Sequence, residues 1–539
     1  MEDEKESQAL RLEKPAQDIV VSETNDASES QPTHGFAATS NPMPTPTPIL
    51  PSTPPHATVI TFQDCPKKNP YNWPLPKKLY VVVFTLLSVM NSGVSSSLPS
   101  NAVPYIMESF NLKDNGQSSL PTGIFLLGYV VGPLIWSPLS ETIGRRPVLL
   151  YTFVVFFLFT LACALAPGWS SLLFFRFVCG CMGAAPQTVI GGAYADVFEA
   201  RARGRAMAFY MAAASFGPIL GPIVSGFASE HGWRWSFWAD LIFAGVTLVG
   251  LVFLPESFGP VILKRQAAEM SKLSGRQISA PLSKLNTDLT TIFLRPLYML
   301  IFEPIILFTS IYVGIVYALV FFYFQAYPII FPQVYGFSIK MTSLAFLPIG
   351  IGASSTALVA IYWDLKYSSA TAHPKKPFMF NLLPFSPELH RLPISCLGSL
   401  TIPTSLFWLA WTASPTTHWI VPILSGFLFG FGYQSIFTSM GIYVTDAYKI
   451  YSASALASSV ISRSMLGAAL PVAAKPMYES LGVGWATSLV GFVSLVCVPI
   501  PYLLLWRGEW IRERSAFCQM LGKEDGEEEE EGVRDRAQC

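Results

Sequence analysis

The sequence predicts an all-α polytopic membrane protein with twelve transmembrane helices in two six-helix bundles. Three observations lead to this prediction. Apolar residues make up 51% of the 539 residues and charged residues only 13%, which is about half the charged fraction of a soluble domain. Uncharged runs long enough to cross a bilayer recur along the chain. A charged stretch at residues 256–296 divides these runs into two groups of six.

The order of these segments predicts five regions. Residues 1–76 are rich in Pro, Ser, Thr and acidic residues without periodicity, so we expect a disordered cytoplasmic tail. The first bundle is predicted at 77–255 and a cytoplasmic linker at 256–296. The second bundle is predicted at 297–507, followed by an acidic cytoplasmic tail at 508–539.

The Lys and Arg residues of the short loops predict the direction of insertion. Five lie in the loops that we place inside, namely Arg145, Arg146, Arg201, Arg203 and Arg205. Two lie in the loops that we place outside, namely Lys113 and Arg234. Because cytoplasmic loops carry an excess of basic residues, we expect both termini in the cytoplasm. We expect the plasma membrane as the location.

Composition also excludes several classes of function. The formal net charge is zero, so no overall field favours nucleic acid. The eight cysteines are scattered without metal-ligand spacing, and the six histidines lie in tails, loops or span edges. No nucleophile-and-base motif occurs. We therefore expect no enzyme activity, no metal and no cofactor, and a monomer whose partners are the lipid bilayer, protons and a small-molecule substrate.

The turn between spans 2 and 3 carries the first motif. Residues Ser137 to Arg146 resemble the G-x-x-x-D-R-x-G-R-R signature of the major facilitator superfamily, in the form found in its fungal drug:proton antiporter branch. Ser137, Glu141 and Thr142 depart from the usual Gly, Asp and Arg. The resemblance implies the major facilitator fold, whose halves rock about a midplane site. An acidic group among basic ones can form a breakable ion pair, and the alternative is a plain basic loop. The predicted gating residues are Glu141, Gly144, Arg145, Arg146, Asp196 and Arg201.

Ionisable residues inside the apolar runs are the candidates for proton coupling, since a charge at the bilayer centre costs about 2.5 to 3.5 kcal/mol. Arg176 opens a segment similar to the R-x-x-x-G-x-x-G-A-A signature of proton-coupled members; the alternative is an arginine that reaches the outer headgroups. Glu303 in span 7 either carries the proton in the cavity or anchors the cytoplasmic end of its helix. Asp240 in span 6 is a weaker candidate that can pair with Arg234.

Span 5 contains a second signature of transport direction. Residues Ser215 to Gly226 resemble the antiporter motif G-x-x-x-G-P-x-x-G-G, which accompanies exporters in this superfamily. Gly-Pro steps at four-residue spacing suit a hinge, and the alternative is ordinary close packing of a membrane helix. The predicted hinge residues are Gly217, Pro218, Gly221, Pro222 and Gly226.

Polar and aromatic residues within the spans predict the substrate cavity. Arg463 belongs to a segment similar to the fungal R-S-x-x-G-A-x-x-P element; we expect it to contact substrate or to pair with Glu303. The predicted cavity residues are Asn91, Gln187, Tyr312, Tyr317, Gln325, Tyr433, Gln434 and Arg463.

The resemblance covers about residues 69–515 and implies a proton-coupled exporter of amphipathic small molecules, such as drugs, toxins or secondary metabolites, working by alternating access. A polyamine or nutrient permease of the same fold is the first alternative, although a polyamine site needs several cavity carboxylates. A facilitator-fold sensor without transport is the second.

Overall fold

The computed structural model describes the chain between residues 58 and 519, with gaps. The described residues are 58–62, 65–112, 116–274, 278–279, 289–372, 392–448, 452–512, 514–515 and 519. Most of the predicted N-terminal tail and most of the acidic C-terminal tail therefore lie outside the described residues.

Nearly all described residues lie in α-helices. The first half contains α1 (Leu75–Ser97), α2 (Pro99–Ser109), α3 (Leu120–Ile143), α4 (Arg145–Ala164), α5 (Trp169–Val197), α6 (Ala200–Ala228) and α7 (Arg234–Val252). Between the halves lie α8 (Gly259–Ser274) and α9 (Leu289–Phe302). The second half contains α10 (Pro304–Tyr335), α11 (Ile339–Leu344), α12 (Leu347–Ala372), α13 (Leu392–Thr412), α14 (Ile420–Tyr448), α15 (Ser452–Cys497) and α16 (Pro499–Arg512). Two short strands are present, β1 (Thr58–Val59) and β2 (Ile278–Ser279).

Twelve membrane-spanning segments can be counted within the described residues. Eleven continuous helical stretches are long and apolar enough to cross a bilayer. The last stretch, Ser454–Gly508, has 55 residues and turns at Gly482, where φ is 71°. A left-handed backbone favours glycine and ends a helix, so this stretch comprises spans 11 and 12. The predicted all-α, twelve-helix membrane architecture is confirmed, as expected where lipid offers the backbone no hydrogen-bond partners.

The two halves repeat the same helix pairs. Span 2 (α3) crosses span 4 (α5) where a Cβ on Gly180 would overlap the carbonyl oxygen of Phe125. Span 8 (α12) crosses span 10 (α14) where a Cβ on Gly430 would overlap the carbonyl oxygen of Ile349. Glycines permit such close helix approach in membranes. Equivalent spans, six apart in order, thus pack in equivalent ways.

A small element joins the N-terminal segment to the linker. β1 pairs in parallel with β2. Ile60 packs with Leu263 and Ala267 of α8 in a separate apolar cluster. Part of the segment predicted as a disordered tail, residues 58–62, thus contacts the linker in the structure. The reason is that Ile60 finds an apolar partner on the linker helix, which the sequence pattern did not reveal.

The bundle has a basic end and a far end. The basic end carries the α3–α4 turn with Arg145 and Arg146, together with the start of α6 and α10. The far end carries the α4–α5 turn before Trp169, the short helix Ser229–His231 and α11.

Candidate functional site

A cavity lies between the two halves, nearer the basic end. It lies between α5 and α6 of the first half and α10, α14 and α15 of the second. Its lining residues are Gln187, Tyr210, Met211, Thr309, Val313, Phe437, Met440, Gly441, Val444, Leu456, Ser459, Val460 and Arg463. Each of them lies within about three helical turns of the basic end of its helix.

Arg463 and Gln187 meet across this cavity. Nη2 of Arg463 donates a hydrogen bond to Oε1 of Gln187 at 3.0 Å, which links span 11 to span 4. The guanidinium carbon lies 5.2 Å from the ring centroid of Tyr317 and 4.8 Å from that of Phe437. Arg463 is 6% exposed, and its Nε has no hydrogen-bond partner among the described residues. The cavity thus contains a desolvated cation with an unused donor.

The predicted cavity residues divide between this site and other places. Gln187 and Arg463 line the cavity, and Tyr317 packs on the guanidinium of Arg463. The other five, none of which is among the lining residues of this cavity, are Asn91, Tyr312, Gln325, Tyr433 and Gln434. The alternative pairing of Arg463 with Glu303 is not observed, because the described contacts of Arg463 are with span 4 and two aromatic rings.

Several lining residues were missed by the sequence analysis. On span 11, Leu456, Ser459 and Val460 precede Arg463 by seven, four and three residues and share its helix face. This spacing is the signal that could have found them, since residues three and four apart are neighbours on a helix. Met211 and Met440 carried no comparable signal, because isolated methionines are common in apolar spans.

Arg176 lies inside the first half and is completely buried, with 0% exposure. Its Nε donates to the carbonyl oxygen of Pro121 at 3.1 Å, and its two terminal nitrogens donate to Ser95 Oγ and Ser96 O at 3.3 Å each. The guanidinium also lies 4.4 Å from the ring centroid of Phe125. These contacts join span 4 to spans 1 and 2, and they contradict the alternative in which Arg176 reaches the headgroups.

Asp240 lies beside Arg176 rather than at the membrane surface. It is 1% exposed, and it interacts electrostatically with Ser95 and Arg176. Neither carboxylate oxygen has a hydrogen-bond partner of good geometry among the described residues. The pairing of Asp240 with Arg234 was wrong, because Arg234 donates to the carbonyl oxygen of Ala166 and packs on Trp233.

Glu303 caps the basic end of span 7 and does not reach the cavity. It is 2% exposed, and its Oε2 accepts hydrogen bonds from the hydroxyls of Tyr448 at 2.9 Å and Ser515 at 2.5 Å. These contacts tie spans 7 and 10 to the segment after span 12. Of the two roles predicted for Glu303, the geometry favours the anchor.

Five predicted gating residues lie at the α3–α4 turn or contact it, namely Glu141, Gly144, Arg145, Arg146 and Asp196. Arg145 donates from Nε to Asp196 Oδ2 at 3.3 Å and from Nη1 to Ser140 Oγ at 2.7 Å. Glu141 interacts electrostatically with Arg145 and with Arg295 of α9, which precedes the second half. Arg201 lies in the first turn of α6.

A carboxylate that the sequence analysis missed holds this turn together. Glu256 had been assigned to the linker, yet it is 9% exposed and its side chain receives backbone N–H groups from the start of α4 and from its own segment. The donors are Arg145, Ser257 and Phe258 to Oε1 at 3.0 Å each, and Arg146 to Oε2 at 3.3 Å. Gly144 has φ 107°, and a Cβ there would lie 2.5 Å from Oε2 of Glu256. The glycine is thus required both by the backbone and by the carboxylate.

Three predicted hinge residues of span 5, namely Gly217, Pro218 and Gly221, contact span 1. Gly217 permits close approach, since a Cβ there would lie 2.8 Å from the carbonyl oxygen of Met90. Pro222 has no N–H group that could donate the usual helical hydrogen bond to the carbonyl oxygen of Pro218. Ser97 Oγ donates a hydrogen bond to that oxygen instead, at 2.6 Å. Span 1 therefore satisfies a backbone group that the proline leaves free.

The halves are joined at the far end. Lys340 Nζ of α11 lies 2.5 Å from Glu230 Oε2 in the turn between α6 and α7. Asn101 Nδ2 donates to Ser343 Oγ of α11 at 2.7 Å, and a Cβ on Gly226 would overlap Ser343. These contacts join the two halves at the far end in this conformation.

Comparison with known proteins identifies the family. The sequence profile of the Major Facilitator Superfamily matches residues 85–471 of this chain. The chain belongs to this superfamily. The resemblance inferred from the sequence motifs is confirmed, and with it the assignment to a family of multi-pass membrane transporters.

Relatives and solved structures agree with this membership of the superfamily. The efflux pump FUB11 of Gibberella moniliformis is 36% identical over 467 residues, covering 85% of this chain and 77% of the relative. The superfamily multidrug transporter mdrA of Aspergillus fumigatus is 34% identical over 509 residues, covering 89% and 81%. The xylose transporter XylE of E. coli, in a partially occluded inward open conformation, has a TM-score of 0.57 at 17% identity, covering 80% of this chain and 97% of XylE. This last similarity concerns the fold.

Proposed function

We propose that this protein exports amphipathic small molecules from the cytoplasm in exchange for protons, by alternating access. The observation that carries the proposal is the cavity shared by spans 4, 5, 7, 10 and 11, which is bounded by both halves. An ion pair joins the two halves at the far end. A site between two pseudo-equivalent bundles suits rocking of one against the other. The relatives named efflux pumps and multidrug transporters support the direction of transport.

The orientation follows from charge. Because Arg145, Arg146 and the start of α6 carry the basic residues of the first half, the basic end is assigned to the cytoplasm. Both termini then face the cytoplasm, and the described conformation has its cavity nearer that side. We assign the protein to the plasma membrane and treat the monomer as the transporting unit.

Opening to the outside requires that the far-end contacts break. The ion pair between Glu230 and Lys340 and the hydrogen bond between Asn101 and Ser343 join opposite halves. Contacts between Glu141, Arg145 and Arg295 at the basic end would strengthen as that end closes. The hinge prolines of span 5 let the far part of that helix move while span 1 keeps its carbonyl bonded.

Proton coupling is assigned to Asp240 with Arg176. Asp240 is buried beside Arg176, a permanent cation. Protonation of Asp240 therefore removes the negative charge that attracts Arg176. Arg176 bonds to spans 1 and 2, and a change in its attraction to Asp240 therefore alters the contacts of two further helices. A proton taken up from outside and released to the cytoplasm would return the protein to its inward state.

The test uses purified full-length protein in liposomes with an acidic lumen and a pH-sensitive dye inside. Amphipathic compounds added outside should accumulate and should release lumenal protons, and an ionophore that collapses the gradient should abolish both. In Asp240→Asn, exchange of labelled for unlabelled compound should persist while gradient-driven accumulation is lost. Arg234→Gln, at an exposed arginine away from the cavity, is the control. Accumulation that ignores the gradient would contradict the coupling.

A further inference from the structure

We propose that the cavity selects organic anions: a singly charged acid, such as a carboxylate, carried on an aromatic or branched aliphatic body. This inference rests on the proposed export function and names the substrate class of the same cavity. It depends on the charge, the geometry and the apolar lining around Arg463.

The charge of the cavity is positive and uncompensated. Among the described lining residues, Arg463 is the only one that carries a charge. An arginine guanidinium carries a permanent positive charge in proteins. A buried cation without a counter-charge is costly, and an anionic ligand offsets that cost, whereas a cationic ligand increases it. The cavity therefore disfavours polyamines and other organic cations.

The geometry prepares the guanidinium for a ligand. Tyr317 and Phe437 lie on the guanidinium at 5.2 Å and 4.8 Å, which restricts its rotation. Gln187 occupies Nη2 through a neutral amide oxygen, and Nε remains without an acceptor among the described residues. A carboxylate can take this free donor and compete for Nη2, forming the two parallel hydrogen bonds that an arginine fork offers.

Most of the other lining residues are apolar and adaptable. They include Met211, Met440, Phe437, Val313 and Leu456. Methionine side chains adjust to ligands of different shape. A site with one fixed cation and adaptable apolar side chains fits an amphipathic acid better than it fits a sugar or a metal ion.

A neighbouring cavity of about 320 Å³ lies closer to the basic end and does not reverse this selection. Its lining includes Arg203 of α6 and Asp446 of α14, which carry opposite charges. Because these two opposite charges offset each other, the second cavity does not favour ligands of either charge. We therefore assign the selection of anions to Arg463 of the first cavity.

The experiment compares three compounds of the same skeleton: 2-naphthoate, 2-naphthamide and 2-naphthylmethylammonium. Binding to the purified full-length protein in detergent at neutral pH is measured by isothermal titration calorimetry. Naphthoate should bind at least about tenfold more tightly than naphthamide, and the ammonium compound should bind most weakly. Naphthoate binding no tighter than naphthamide binding in the wild type overturns the proposal, and this comparison needs no variant.

Variants then assign the preference to one residue. Arg463→Gln should bring naphthoate to the affinity of naphthamide, and Arg463→Lys should keep part of the preference. Arg234→Gln, a matched loss of an exposed arginine at the far end, should leave the ranking intact. A preference that survives Arg463→Gln overturns the assignment.

Binding and transport separate this inference from the proposed function. If naphthoate is preferred but no compound accumulates under a pH gradient, export is refuted and the anion site stands. If neutral or cationic compounds accumulate under the gradient while naphthoate is not preferred, export stands and the anion site is refuted.

Discussion

Removal of the Glu256 side chain is expected to destabilise the protein at the basic end. The carboxylate is mostly buried and receives four backbone N–H groups, from Arg145, Arg146, Ser257 and Phe258. Two of these donors belong to the first turn of α4, where no preceding turn offers carbonyl partners. Glu256 therefore caps a transmembrane helix from a distant part of the sequence.

The magnitude follows from those contacts. The cap of α4 contributes about 1 kcal/mol, and a negative charge at the helix N-terminus contributes about 1 kcal/mol more. The two donors in the residue's own turn add about 0.5 to 1 kcal/mol each. Glu256→Ala should thus lower the free energy of unfolding by about 3 kcal/mol. Glu256→Gln keeps one acceptor oxygen and should cost about half as much.

Thermal denaturation of the detergent-solubilised protein, followed by fluorescence-detected size exclusion, measures the ranking. The control is Glu269→Gln on α8, where the exposed carboxylate bonds to the side chain of Gln266. We expect Glu256→Ala to have the lowest midpoint, then Glu256→Gln, with the control equal to wild type. A Glu256→Ala protein as stable as the control would refute the capping argument.

Three further predictions concern the turn, the far end and the hinge. Gly144→Ala should lower the denaturation midpoint, because a Cβ there meets the Glu256 carboxylate and the residue has φ 107°; a midpoint equal to wild type would contradict this. Glu230→Lys and Lys340→Glu should each open the far end, because each change replaces an ion pair with two like charges. The opening is measured as faster labelling of a cysteine introduced beside the cavity. The double variant, which restores opposite charges, should restore slow labelling. Equal labelling in all three would show that the pair does not hold the halves. Ser97→Ala should leave the carbonyl oxygen of Pro218 without a hydrogen bond and should slow transport, and Ser97→Thr should restore the transport rate. An unchanged transport rate in Ser97→Ala would show that this hydrogen bond has no part in the mechanism.

The motif residues were the most predictable part of the site. Arg176, Arg145 and Gly144 could be selected because a charge or a glycine at a fixed place in an apolar sequence has few uses. Their partners were less predictable. Arg176 donates hydrogen bonds to the backbone carbonyl oxygens of Pro121 and Ser96. Every residue has a backbone carbonyl, so the residue types do not indicate which carbonyl accepts such a bond.

The carboxylates show the same limit. Asp240 and Glu303 were both candidates for the coupling proton, and the structure places the first beside Arg176 and the second on Tyr448 and Ser515. Depth along a helix could be estimated from the sequence. The helix face could not, because the apolar pattern of a membrane span surrounded by lipid and protein is weakly periodic.

The sequence by itself determined that the protein is a helical membrane protein of twelve spans in two halves, because the length of an apolar run fixes whether it crosses a bilayer. Only the tertiary structure decided which side chains share a cavity, since the neighbours of Arg463 come from spans 4, 7 and 10, far away in the chain. Such neighbours are set by the crossing of helices, and close approach at glycines such as Gly180 and Gly430 fixes those crossings.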